Sequence, residues 1–170
     1  MDLKGKFGSP PKVEESGSSF AENAFFKAKA YYEWSSMPSL GDDSGLMVDC
    51  LGGAPGLYTS RFAGEGCTPD DNINKLLSVM AGCKDRGAQF VSHMCLIVEE
   101  GVHVVADGTL RGSIAYERRG RGGFGYDPVF VPDGCDKTLA ELKEGTLPLK
   151  THRILAAENL FSKDIKWRAG

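Results

Sequence analysis

Between Gln89 and Ile114 the chain runs through β-branched and alternating apolar residues, broken by Glu99-Glu100-Gly101. Alternation with a period of two marks strands, and a short polar break containing glycine predicts a hairpin or a meander. Asp107-Gly108 is expected to interrupt the second run. Helix signals lie on both sides of this β region. Ser19 followed by Glu22 forms a capping box that opens a helix through Ala24, Lys27, Ala28, Lys29 and Ala30 towards Tyr32, with Met37-Pro38 at its exit. Thr68 as cap, Pro69 in the first turn, and Asp70 and Asp71 at the positive end of the dipole start a second helix. Its apolar residues are Ile73, Leu76, Leu77 and Met80, and Gly82 stops it. A last helix begins near Thr151 and carries Ile154, Leu155, Ala157 and Leu160 on one face. Residues 1–17 read as loop, Arg118 to Gly125 as a basic glycine-rich loop, and Pro128 to Val131 as strand-like. Helices at both ends around several strands predict a mixed α/β domain.

A chain of 170 residues, 41% hydrophobic and 25% charged, has the material for one globular domain. The longest apolar run, Met94 to Val98, is far too short to span a membrane, and the N-terminus lacks an apolar signal core, so a soluble, unsecreted protein is expected. The five cysteines (Cys50, Cys67, Cys83, Cys95 and Cys135) are scattered, with no C-x-x-C pair. They are expected to be reduced, packed thiols, which argues against structural zinc. A net charge of −3 and a pI near 5.6 weigh against nucleic-acid binding, even with Arg118, Arg119 and Arg121 close together.

The residue types suited to chemistry fall in separate segments. Gly41-Asp42-Asp43-Ser44-Gly45 precedes a β-like stretch from Leu46 to Leu51. A carboxylate pair on a tight turn can hold Mg²⁺ through one oxygen each and leave positions for phosphate and water. Asp, Ser and Gly are equally the ordinary formers of such a turn. Asn23 and Lys27 are four apart on the first helix and share a face. Glu15, beside Glu14, either completes an oxygen shell with Asp43 or belongs to an exposed acidic pair. Gly52-Gly53-Ala54-Pro55-Gly56 demands unusual backbone, and Tyr58, Ser60, Arg61 and Phe62 follow it, suited to a subunit interface or a neighbouring pocket. In Gly122-Gly123-Phe124-Gly125-Tyr126-Asp127-Pro128 the aromatics can stack on a base and the carboxylate can accept from its donors; a core-facing strand start reads equally well. His152 and Arg153 open the last helix, where backbone N–H groups favour an oxygen-rich group.

Taken together and in this order, the blocks resemble the non-canonical purine nucleoside triphosphate pyrophosphatases, the Ham1-like inosine/xanthosine triphosphatase family. The matching segments are Glu15-Ser16-Gly17-x-x-Phe20-x-Glu22-Asn23-Ala24-x-x-Lys27-Ala28, Gly41 to Leu46, Gly52 to Gly56, Gly122 to Pro128 and Thr151-His152-Arg153. The resemblance implies an elongated α/β fold with two lobes flanking a cleft, a cytoplasmic homodimer, and hydrolysis of inosine, deoxyinosine and xanthosine triphosphates to monophosphate and pyrophosphate with Mg²⁺. Carried over by position, it makes Asp43 the general base and a metal ligand, Glu15 a second metal ligand, and Ser44 a substrate contact, with Asp42 supporting them. Lys27 would meet the triphosphate, and Phe124, Gly125, Tyr126, Asp127, His152 and Arg153 would hold the nucleotide. Two departures stand out. Nothing before Glu15 matches the family's Ser/Thr-Gly-Asn-x-x-Lys phosphate loop and its leading strand, although Lys4 and Lys6 lie there. Leu147, flanked by Pro148, stands where the family has Lys. A single domain truncated at its N-terminus is therefore expected, and a catalytically impaired nucleotide-binding remnant is the alternative to an active enzyme. An aspartyl-phosphate phosphatase is disfavoured, because the acidic run holds no Asp-x-Asp pair.

Overall fold

A computed structural model describes residues 5, 7–145 and 150–163. Lys4, Lys6, Leu147 and Pro148 lie outside them. The elements in chain order are α1 (Phe20–Ser35), β1 (Ser39–Val48), two short 3₁₀ helices (Asp49–Leu51 and Gly56–Arg61), α2 (Pro69–Val79), β2 (Gly87–Glu99), β3 (Val102–Ile114), β4 (Phe130–Pro132), α3 (Leu139–Lys143) and α4 (His152–Phe161). The strands form a sheet in the order β1-β2-β3-β4, so the α/β class expected from the sequence holds. β2 and β3 are neighbours joined through Glu100 and Gly101, and Gly101 takes a positive φ of 75° at that tight connection. β4 adds to β3 antiparallel, with Ser113 opposite Val131.

The chain divides into two compact units: Met1–Ser44, Ser92–Gly108 and His152–Gly170 in the first, and Gly45–Val91 and Thr109–Thr151 in the second. In the first unit Ala24 and Ala28 of α1 pack on Cys95 and Ile97 of β2. Met94, Leu96 and Ala106 meet Ala156 and Leu160 of α4 in a separate cluster. In the second unit Leu46, Val48, Ile73, Leu76, Met80, Phe90, Ile114, Tyr126, Val129, Phe130 and Leu139 make one core. Burial of apolar surface on this scale is the main force that holds each unit together.

Several local expectations change. The acidic run is no turn: Gly41 to Gly45 lies inside β1. Gly41 is required by close approach instead, because a Cβ there would run into the backbone at Ala24 and Ala28 of α1. Asp107-Gly108 likewise leaves β3 unbroken, and a Cβ on Gly108 would strike the α4 backbone at His152 and Ala156. The buried face of α4 is His152, Ala156 and Leu160, while Ile154 is exposed. α3 comes from a further capping box, in which Thr138 accepts from the Glu141 N–H and Glu141 accepts from the Thr138 N–H. Cys50 and Cys83 form a disulfide with Cα atoms 6.3 Å apart, which corrects the all-thiol expectation. The fold brings together two cysteines 33 residues apart whose spacing carries no signal of its own. Cys95 is a buried thiol, its pKa pushed up to about 11 by desolvation.

Candidate active site

The side chains of Asp42 and Asp43 project to opposite faces of β1, as neighbours on a strand must. Asp43 is buried and turned towards α1. Its Oδ1 accepts from Lys27 Nζ at 2.6 Å and its Oδ2 from Asn23 Nδ2 at 3.1 Å. The four-residue spacing of Asn23 and Lys27 therefore puts both donors on one carboxylate. Asn23 is itself fixed, its Oδ1 accepting from the Gly17 N–H at 2.8 Å. A Cβ on Gly17 would stand 2.6 Å from that same oxygen, so the glycine leaves room for the amide.

Lys27 is the hub of the cluster. An ammonium has three donors, and here Nζ reaches Asp43 Oδ1 at 2.6 Å, Glu15 Oε1 at 2.8 Å and the Asp42 carbonyl oxygen at 3.1 Å. Burial opposes its charge, but the hydrogen bonds and charges of Asp43 and Glu15 outweigh it and raise the Lys27 pKa above its ordinary value. Three oxygens, two of them from carboxylates, thus converge on one positive charge.

Asp42 has its own partners. Ser92 Oγ of β2 donates to Oδ1 at 2.5 Å, and Arg153 Nε of α4 donates to Oδ2 at 2.8 Å. Arg153 Nη2 continues to Ser44 Oγ at 2.6 Å. His152, beside it, is buried. The first unit therefore gathers Glu15, Lys27, Asp42, Asp43, Ser44 and Arg153 from segments far apart in the chain. Ser92, inside an apolar run, gave no signal in the sequence.

Among the described residues, no group of three or more His, Cys, Asp and Glu side chains stands ready to hold a metal ion. The oxygens around Lys27 Nζ nevertheless fit Mg²⁺, which takes one or two carboxylates and completes its shell with phosphate and water. Glu15 and Asp43 are the side chains that would hold it.

In the second unit Phe124 is 70% exposed. Asp127 Oδ2 accepts from the Phe124 N–H at 2.9 Å and from Lys143 Nζ at 2.6 Å, and that ammonium lies 5.6 Å from the centre of the Phe124 ring. Gly125 adopts a positive φ of 59° between the two aromatics. Tyr126 points into the core, donates to the Thr59 carbonyl oxygen at 3.0 Å, and has its pKa raised chiefly by burial, with a smaller contribution from Cys67. Two of the nearby arginines are engaged within the unit: Arg118 pairs with Asp70 at 2.6 Å and Arg119 with Glu141 at 3.7 Å.

The sequence profile of the Ham1 family matches residues 2–163. The chain belongs to the Ham1 family. Among relatives, it is 43% identical to the dITP/XTP pyrophosphatase of Methylococcus capsulatus, over 90% of this chain and 78% of that protein. It is 44% identical to the dITP/XTP pyrophosphatase of Gloeobacter violaceus, over 91% of this chain and 78% of that one. Among solved structures, the Ham1 protein of Coxiella burnetii superposes with a TM-score of 0.83 at 37% identity, covering 94% of this chain and 82% of its own. The Staphylococcus aureus Ham1 protein gives 0.80 at 39% identity, covering 89% and 79%. Membership of the Ham1 family is thus established by sequence and by fold. No helix among the described residues is long and apolar enough to cross a membrane.

Proposed function

We infer that this chain hydrolyses non-canonical purine nucleoside triphosphates, such as those of inosine and xanthosine and their deoxy forms, to the monophosphate and pyrophosphate. The observation that carries the reading is the convergence of Glu15, Asp43 and the Asp42 carbonyl on Lys27 Nζ. The dITP/XTP pyrophosphatase names of its relatives support the substrate class. In the reaction, a water oxygen bonds to the α-phosphorus, the bond to the departing pyrophosphate breaks, and the water's proton passes to Asp43. A carboxylate has about four lone-pair sites, and Lys27 and Asn23 use one on each oxygen, so Asp43 keeps acceptor capacity for that proton. Two fixed donors also hold the carboxylate still, and positioning supplies much of the acceleration in phosphoryl chemistry. Mg²⁺ held by Glu15 and Asp43 would neutralise phosphate charge and acidify the attacking water. Lys27 exchanges a carboxylate partner for phosphate oxygen when substrate arrives, and Ser44 and Arg153 offer further donors.

Phe124, Gly125, Tyr126 and Asp127 are assigned as nucleotide contacts on the resemblance; the exposure of Phe124 supports its own assignment, while Tyr126 and Asp127 are buried. His152 is assigned on the resemblance alone. The same resemblance extends the reading to a homodimer acting on the cytoplasmic nucleotide pool; a solution mass near 18.3 kDa by light scattering would exclude the dimer. The deciding assay incubates the protein with inosine triphosphate and Mg²⁺ and identifies the products. Monophosphate and pyrophosphate are expected, with adenosine triphosphate turned over far more slowly. Orthophosphate release or equal turnover of both nucleotides would overturn the reading, and tight nucleotide binding without turnover would identify an impaired remnant. Asp43→Asn is expected to abolish turnover and leave the fold intact.

A further inference from the structure

We propose that Ser92 is a positioning residue for nucleotide binding, fixing Arg153 and Ser44 through the carboxylate of Asp42. The proposal rests on the hydrolase reading above and adds to it a residue that the motif blocks do not contain.

Ser92 has no exposed surface. It stands in β2 among Phe90, Val91, Met94, Cys95, Leu96 and Ile97, where a hydroxyl gains nothing by packing and costs free energy unless hydrogen-bonded. Its donor goes to Asp42 Oδ1 at 2.5 Å, the short separation expected of a hydroxyl on a carboxylate. That bond fixes the torsion about the Asp42 carboxylate, a soft rotation when nothing restrains it. With Oδ1 held, Oδ2 faces Arg153 Nε at 2.8 Å. The guanidinium is planar, so fixing Nε also aims Nη2, which reaches Ser44 Oγ at 2.6 Å. The Arg153 side chain is 43% exposed and long, and without this anchor it would spread over many rotamers. A buried hydroxyl thus acts through one carboxylate on two residues of the proposed substrate site, while being too deep to touch substrate itself.

The test is steady-state kinetics with inosine triphosphate and Mg²⁺, paired with calorimetry of nucleotide binding, on the full chain. Ser92→Ala is expected to raise KM and weaken binding about tenfold, the usual scale for a lost hydrogen bond to a charged group, while kcat changes little. Ser92→Thr, which keeps the hydroxyl, should recover most of the affinity. In an Arg153→Ala background, Ser92→Ala should have almost no further effect, because both variants break one chain of contacts. Unchanged KM and affinity in Ser92→Ala, or effects that multiply in the double variant, would overturn the proposal. If Ser92→Ala does not fold, the isosteric but weakly donating Ser92→Cys carries the same comparison. A wild-type protein that binds nucleotide without hydrolysing it would sink the hydrolase reading and leave the affinity arm to decide the role of Ser92. A protein that binds none would end both.

Discussion

Gly41→Ala tests the geometry on which the site depends. The added Cβ would lie 2.6 Å from Ala28 N and closer still to the Ala24 carbonyl oxygen. Both are backbone atoms of α1, so no side-chain rotation relieves the contact. The helix must retreat by about 1.3 Å to restore an ordinary van der Waals separation of about 3.4 Å from the Ala24 oxygen. Overpacking of this kind costs about 3 kcal/mol. The same movement carries Asn23 and Lys27 away from Asp43. The Asn23 bond, 3.1 Å at the start, would pass beyond hydrogen-bonding range, and the 2.6 Å Lys27 contact would survive only in lengthened form. Loss of one hydrogen bond to a charged group is worth about 2 kcal/mol, so kcat should fall about 30-fold in whatever fraction stays folded. Gly82→Ala is the control: nothing lies within 4 Å of its Cβ and its φ is not positive. Urea unfolding and kinetics at a temperature where the variant remains folded measure both effects. A Gly41→Ala protein as stable and active as Gly82→Ala would show that α1 does not press on β1 as described.

Chelation of divalent cations should abolish turnover and added Mg²⁺ should restore it; activity that persists in excess chelator would remove Glu15 and Asp43 as metal ligands. Thr138→Val keeps shape but deletes the hydroxyl that donates to the Arg119 carbonyl at 2.7 Å and caps α3. It should cost about 1–2 kcal/mol in urea unfolding, and no cost would refute the capping argument. Glu22, Asp71 and Glu141 are each held below the ordinary carboxylate range, chiefly by hydrogen bonds from the Ser18 hydroxyl, the Thr68 hydroxyl and the Thr138 N–H. Their folded pKa values are depressed, so the stability they add is present above the ordinary carboxylate range and is lost as pH falls through the depressed values. The variant Glu22→Gln, Asp71→Asn, Glu141→Gln should therefore show a flatter acid limb in unfolding against pH; an unchanged limb would mean that these bonds do not bind protons away from the folded state.

The helix starts were legible because their information is local. Ser19 and Thr68 announce α1 and α2 by residues within one turn, and the structure uses those same side chains as caps. α3 carries an equally local box in Thr138 and Glu141, but its five residues are too few to show a helical period. The glycines misled for the opposite reason. Gly41 and Gly108 read as chain breakers by composition, yet each sits within a continuous strand where a helix comes close. Their reason for being glycine lies in α1 and α4, and no local window of sequence contains both partners. The Cys50–Cys83 pairing was hidden in the same way.

Read as a turn, Asp42 and Asp43 would be equivalent ligands of one cation. In a strand they cannot be, because adjacent side chains face opposite ways and meet different partners. Asp43 gains Asn23 and Lys27 from α1, together with Glu15 through the shared ammonium. Asp42 gains Ser92 and Arg153, which suits holding a cationic side chain against Ser44. The separation of partners between two neighbouring aspartates follows from the backbone on which they stand. It predicts that Asp42→Asn should act mainly on KM and Asp43→Asn mainly on kcat; equal loss of kcat in the two would return the pair to a shared metal site.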